Sequence, residues 1–321
     1  MGFDTTGTVS ELDVSTEVVT TPTETTEDEN LYYNRNWPTY NGYYKNHNPV
    51  KEVVNKLGVW SVGRGITGEE ETLNKWTGWG KDSAEDIVNN LVRVRHINGD
   101  SYAEAVREKT ILNLFGKLKG KGKILNLKPL DPGKVIHVTD DKGILIRYEY
   151  IRKDKINQKF DPKQILHLIL NRDANEVHGT GDIQSITSYL DKIKQLDDDM
   201  SVLFHKFVVP TIMFKLNTDN TTKIAEYKTN MDKALNTAGN IYIPQKAVEH
   251  EIVEAKERGQ NATEWRKLWV DEVVRSGGVP ALIMAQEAGT SEASSKMVVF
   301  TWEQVIRNEQ KYVETQFKNQ L

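Results

Sequence analysis

Histidine and carboxylate side chains are where this sequence has to be searched for chemistry, because it contains no cysteine. That absence removes disulfides, thiolate nucleophiles, Cys-ligated zinc and iron–sulfur clusters together. The seven histidines are spread along the chain, and none stands at metal-ligand spacing from a partner. His96 and Asp100 straddle the turn Asn98-Gly99, and a hydrolase would have to use that pair. His167 sits inside the apolar run Ile165–Leu170, where a hydrogen-bonded core histidine is the ordinary outcome. Asp197-Asp198-Asp199 suggests a metal site, but consecutive positions on a helix point about 100° apart, so the three carboxylates do not converge on one ion. The basic stretch Gly116–Lys123 has glycines and lysines but no Gly-Lys-Ser/Thr and no helix after it, so it reads as a flexible basic loop. In His178-Gly179-Thr180-Gly181-Asp182 the third glycine of a dinucleotide fingerprint is replaced by Gln184. Asp182 would also repel a phosphate there, so the glycines read as a sharp turn. No Gly-x-Ser-x-Gly, His-Glu-x-x-His or kinase pattern occurs. The expectation is no enzyme, no metal and no cofactor.

Two helices organise the remaining residues. From Asp182 to Phe207, Ile183, Ile186, Leu190, Ile193, Met200, Leu203/Phe204 and Phe207 recur at steps of three and four, one apolar seam along about 40 Å of helix. The opposite flank carries Asp191, Lys192, Lys194, Asp198 and Asp199, and Asp197 interrupts the seam. A returning helix spans Asn261–Arg275, capped by Asn261 and Glu264, with Trp265, Leu268, Trp269 and Val273 inward and Arg266 and Lys267 outside. Between them lies a small βαββ unit. Its parts are a strand at Thr211–Leu216, a helix carrying Ile224, Tyr227 and Met231, and strands at Ile241–Ile243 and Val248–Ile252.

Upstream, residues 1–30 are Thr- and Glu-rich without periodicity and read as a disordered acidic tail. Leu31–Tyr44, dense in Tyr and Trp, reads as an arm that docks on a surface. Asn48-Pro49 opens a helix with Val50, Val53, Val54 and Leu57 inward, ended by Gly58. Ser83 and Asp86 form a capping-box start for a second helix carrying Ile87, Leu91 and Val94. A strand follows at Tyr102–Val106, then short strands around Ile124–Leu127, Lys134–Thr139 and Ile144–Ile151, read as an antiparallel meander laid on helices. Gly277-Gly278-Val279-Pro280 breaks the returning helix, Gln286, Glu287, Ala288, Gly289, Thr290 and Ser291 have loop composition, and a last helix carries Trp302, Ile306, Val313 and Phe317 on one face. The fold class is α+β.

Composition narrows the partners. The chain has 321 residues and a net charge of −4, but eight acids (Asp4, Glu11, Asp13, Glu17, Glu24, Glu27, Asp28, Glu29) precede the first Lys or Arg, which leaves +4 for the rest. A mildly basic body with an acidic tail carries no strong nucleic-acid footprint. No apolar run approaches the about 20 residues of a membrane span, and no signal-peptide pattern opens the chain, so no membrane partner is expected.

The order of these segments resembles the phage portal protein family of tailed double-stranded DNA viruses, over roughly Pro49–Leu321. The motifs that carry the resemblance are Asn98-Gly99-Asp100-Ser101-Tyr102-Ala103-Glu104, Phe160-Asp161-Pro162 with Ile165-Leu166-His167-Leu168, and His178-Gly179-Thr180-Gly181. Gly277-Gly278-Val279-Pro280 and Ser291-Glu292-Ala293-Ser294-Ser295-Lys296 complete the set. The resemblance implies a portal-type fold with an α/β wing (31–181), two long stem helices (182–207, 261–276) flanking the clip (208–260), a tunnel loop (277–292) and a tunnel-proximal helix (293–321). It also implies a ring homo-oligomer, a dodecamer on the family's pattern, at one capsid vertex of a virion assembled in the host cytoplasm. Double-stranded DNA would pass through the ring without sequence specificity. Terminase, a head-completion protein and the major capsid protein are the implied partners. The family's C-terminal crown has no counterpart, so it is expected to be absent or trimmed. Asp197, Asp198 and Asp199 would either face the lumen or pair with a neighbour's Lys192, Lys194 or Arg266. A head–tail adaptor ring without a DNA-gating loop and a hydrolase using His96 and Asp100 are the rival readings.

Overall fold

The computed structural model describes residues 29–63, 65–68, 70–108, 122–152, 157–208, 211–216, 220–236, 248–253, 260–284 and 291–321. In chain order the elements are β1 (Asn30–Tyr33), α1 (Trp37–Asn46), α2 (Asn48–Val62), α3 (Glu70–Leu73), α4 (Ala84–Asn98), β2 (Asp100–Arg107) and β3 (Ile124–Leu130). Then come β4 (Val135–Thr139), β5 (Leu145–Tyr150), β6 (Gln158–Phe160), β7 (Ile165–Ile169), α5 (Asp182–Val208), β8 (Thr211–Leu216), α6 (Thr221–Asn236), β9 (Val248–Val253), α7 (Gln260–Ser276) and α8 (Glu292–Gln320). The class is α+β with antiparallel sheets. The chain divides into two compact units, one formed by the residues up to Leu190 with Val270–Leu321, the other by Asp191–Trp269. No described helix is long and apolar enough to cross a membrane.

The first unit holds two antiparallel sheets, ordered β1-β4-β5-β6 and β3-β2-β7. The expected single meander is therefore only partly present. β4, β5 and β6 follow one another, but β3 leaves them to pair with β2, Tyr102 opposite Leu130 and Ala105 opposite Leu127. The turn at Asp131–Gly133 joins two sheets instead of two neighbouring strands, a distinction that turn chemistry does not encode. The aromatic arm is likewise part of the body: β1 pairs with β4, and Tyr40 and Tyr44 of α1 are buried.

α2 runs straight through Gly58, which was expected to end it, and stops at Gly63 with φ of 58°. A Cβ at Gly58 would stand 2.4 Å from Asn89 Oδ1 on α4, so the bare glycine leaves room for that side-chain amide between the two helices. α4 opens with the reciprocal Ser83–Asp86 capping box and closes on Gly99 in the left-handed region, φ 94°. Its Ile87 and Leu91 meet Ala103 and Ala105 of β2, Leu127 of β3 and Leu166 and Leu168 of β7, with Phe317 of α8 against the same cluster. A second cluster joins Val53 and Leu57 of α2 to Val274, Val279, Met284, Trp302 and Ile306.

In the second unit β8 and β9 pair antiparallel, Thr211 opposite Val253, and Met231 of α6 is buried. The strand expected at Ile241–Ile243 lies outside the described residues. The seam on α5 is buried at Ile183, Ile186, Leu190 and Ile193, but Phe204 is 61% exposed. α7 begins at Gln260, one residue before the cap expected at Asn261. Trp265 and Leu268, expected inward, are 53% and 55% exposed, while Val273 and Val274 are buried. Periodicity marks an apolar stripe; it does not say whether the same chain covers it.

Candidate functional site

Of the residues singled out for the loop, Gln286, Glu287, Ala288, Gly289 and Thr290 lie outside the described residues, as do most of the basic stretch Gly116–Lys123 and the tail before Glu29. Ser291 caps α8 by accepting a hydrogen bond from Ser294 N–H at 3.3 Å. On α5 and α7, Asp191, Lys192, Lys194, Asp198, Asp199 and Lys267 are exposed. Asp197 is held within its own chain: Arg266 donates to it through Nε at 2.7 Å and Nη2 at 3.2 Å. In the single chain, then, the fork of this guanidinium serves Asp197 of its own subunit. Both side chains are about half exposed, so the pair contributes at most about 1 kcal/mol after solvent screening.

His96 and Asp100 do not act as a pair, because the turn between them sends each to different partners. Asp100, the first residue of β2, is fully buried. Its Oδ1 accepts from His167 Nε2 at 2.9 Å and Gly179 N–H at 3.2 Å, and its Oδ2 from His178 Nδ1 at 3.0 Å and Asn34 Nδ2 at 3.3 Å. Burial pushes the carboxyl up, but the hydrogen bonds from His167 and His178 outweigh it and hold the group well below the usual carboxylate range. Tyr102 stacks on His167 at 4.4 Å and its hydroxyl lies 2.9 Å from His137 Nε2. Burial drives His137 far down and lowers His167 as well, so both are neutral imidazoles at pH 7. The core-histidine reading of His167 therefore holds, but inside a polar hub that ties β2, β4, β5 and β7 to the segment before α5.

The two glycines of that segment were expected to make a sharp turn, yet neither has a positive φ. A Cβ on Gly179 would stand 2.3 Å from Leu170 O and 2.5 Å from Gly99 O, and one on Gly181 2.6 Å from Asn98 N. They are glycines so that the root of α5 can lie backbone to backbone on the end of α4.

His96 faces the first residue of α5 and the middle of α8. Its Nδ1 is 2.7 Å from Asp182 Oδ2 and its Nε2 3.8 Å from Glu309 Oε1. Arg95, 1% exposed, makes a two-oxygen pair with Glu309, and its guanidinium lies 4.5 Å from the ring centre of Tyr312 on α8. Arg95 and Glu309 drew no attention in the sequence, and Asp182 did so only as a helix start that would repel phosphate. The one available signal was that His137 and His167 each interrupt a run of apolar strand residues, which marks them as a potential buried pair. No group of side chains able to hold a metal ion occurs among the described residues.

Neither a family model nor a curated protein matches the sequence. Solved structures do. A chain in the neck of a native gene transfer agent (GTA) particle, computed with C12 symmetry, is 13% identical with a TM-score of 0.61, covering 83% of this chain and 75% of that one. A chain of the native GTA virion is 15% identical, TM-score 0.60, with coverage of 83% and 75%. An HK97 family phage portal protein from Corynebacterium diphtheriae is 12% identical, TM-score 0.51, covering 81% of this chain and 84% of its own. The fold is that of a phage portal protein. Each comparison with a portal-type structure covers about four-fifths of this chain.

Proposed function

We propose that the chain is a portal: a ring of identical subunits at one capsid vertex, whose axial channel conducts double-stranded DNA during packaging and ejection. The observation that carries the reading is the portal fold joined to bare apolar side chains on its long helices. Phe204 and Val202 on α5, Trp265 and Leu268 on α7, and Met297 and Phe300 on α8 are each more than half exposed. Large apolar groups repeated on several helices mark surfaces that bind another protein, and identical copies around a closed axis would cover them. The C12 symmetry of the gene transfer agent neck supports a dodecamer.

On this reading residues 31–181 form the wing against the capsid shell, α5 and α7 the stem, 208–260 the clip that meets terminase and later the head-completion protein, and 277–292 the tunnel loop. The role is a conduit and docking ring, not an enzyme. A conduit has to hold phosphates weakly, because affinity grows with each phosphate neutralised. Asp198 and Asp199 toward the lumen would suit that need, and Asp197, neutralised by Arg266, would contribute little repulsion. Electron microscopy of the purified full-length protein tests the proposal: rings with an open axial hole are expected, and a monomer or small closed oligomer at micromolar concentration would refute it.

A further inference from the structure

We propose that His96 is a proton-operated latch on the first turn of α5, tight when both ring nitrogens carry protons and weakened when one is lost. The geometry is an imidazole between two carboxylates supplied by different helices, Asp182 at the start of α5 and Glu309 on α8. A neutral imidazole donates from one nitrogen only. With Nδ1–H given to Asp182, the lone pair of Nε2 would face the Glu309 carboxylate, and Nε2 is buried with no hydrogen-bond partner. The imidazolium instead presents N–H to both. Arg95 on the same helix pairs with Glu309, so the closed latch is two cations against two carboxylates; losing the proton leaves an uncompensated negative charge in a buried site, which is costly.

The other groups around it keep this balance. β2 contributes Asp100, which is already occupied by His167 and His178 on the far side of the Asn98–Gly99 turn. α8 also brings the Tyr312 ring, over Arg95, and the face that α2 buries carries Val50, Val53, Val54 and Leu57 with the uncharged Ser61 and no ionisable group. Burial alone would lower the histidine, but Asp182 and Glu309 outweigh it and its pKa is raised. The contribution is therefore complete below the ordinary histidine value of about 6.5 and is lost as pH rises through the raised folded value. Glu309 is shifted the other way: burial pushes it up, but His96 and Arg95 hold it below the usual range, so the latch survives mild acid. The segment ahead of α5 is tied by His178 and Gly179 to Asp100, and by Thr180 N–H to Leu170 O. Asp182 is the first residue of the helix itself and supplies its polar tie, beside the buried Ile183, Ile186 and Leu190.

Hydrogen–deuterium exchange of the assembled full-length protein, from about pH 5.5 to about pH 9 and corrected for intrinsic exchange, reads the latch across the histidine range. Protection of peptides covering 182–190 is expected to fall with rising pH by at most about tenfold per unit, since one proton is linked. Peptides of β7 should stay constant. His96→Gln, which cannot carry the charge, should show low protection over 182–190 without the pH step. Protection that is flat with pH in the wild type, that falls equally in β7, or that keeps the same step in His96→Gln overturns the proposal. The wild-type profile decides the matter alone should the variant not fold.

Discussion

Replacing Arg95 and Glu309, singly and together, tests whether this buried pair is retained for stability or only for its charge balance. Arg95 is 1% exposed and Glu309 is the carboxylate on its guanidinium. Glu309→Leu strands the guanidinium in a buried site, and Arg95→Met strands the carboxylate. Each single change is expected to cost about 3–5 kcal/mol, the range for breaking a buried pair. At about 2–4 °C per kcal/mol for chains of this class, that is a fall in midpoint of roughly 6–20 °C. The double variant removes both desolvation penalties and keeps apolar volume beneath the Tyr312 ring, so it should lie within about 2 kcal/mol of wild type or exceed it. Urea titrations followed by tryptophan fluorescence at about pH 6, where His96 keeps its proton, give the four free energies of the cycle. The reasoning fails if Glu309→Leu costs under about 1 kcal/mol, or if the double variant is as unstable as the two singles added, because either result would mean that water already reaches the pair.

Gly181→Ala should destabilise by about 1–3 kcal/mol because its Cβ meets backbone atoms of Ile97 and Asn98. Gly42→Ala in α1, with nothing within 4 Å, should stabilise by about 0.5–1 kcal/mol in the same urea assay. Asp100 has a lowered pKa, so its contribution is present above the ordinary value of about 3.9 and lost as pH falls through the folded value; Asp100→Asn should flatten the acid limb of a stability-versus-pH curve. Trp265→Lys with Leu268→Lys should abolish rings in micrographs while the subunit's stability stays within about 0.5 kcal/mol, both positions being more than half exposed in the single chain.

Local structure was legible wherever a single physical rule decided it. The Ser83–Asp86 box, the turn at Gly99 and the first half of the three-four seam of α5, from Ile183 to Ile193, follow from backbone donors and side-chain period, and each is present. Long-range pairing was not. Nothing in Ile124–Leu130 says that it joins the free edge of β2 while β4 joins β1, because the alternation is the same in either sheet. The polar hub escaped for a related reason. His137, His167 and His178 are separated by 30 and 11 residues in sequence, and Asp100 meets two of them only after the strands have found their register. Glycine carries the same ambiguity: Gly58, Gly179 and Gly181 looked like breaks, but α2 continues through Gly58, and at Gly179 and Gly181 the backbone of another segment comes too close for a Cβ.

The apolar residues on α5, α7 and α8 carry that ambiguity into function. Ile183, Ile186, Leu190 and Ile193 are covered within the chain, whereas Phe204, Trp265 and Leu268 belong to the same kind of periodic stripe and are not. A stripe left bare over a few turns costs an isolated subunit about 25 cal/mol for each Å² of apolar surface in water, so its retention on several helices calls for a partner that removes it. One copy of a ring can meet that requirement only by presenting complementary faces to two neighbours, since a two-fold contact would close after a single pairing. The test therefore separates two kinds of loss. Lysine at Trp265 and Leu268 should convert rings to soluble subunits, whereas loss of the buried seam at Leu190 should unfold the subunit before any ring can form.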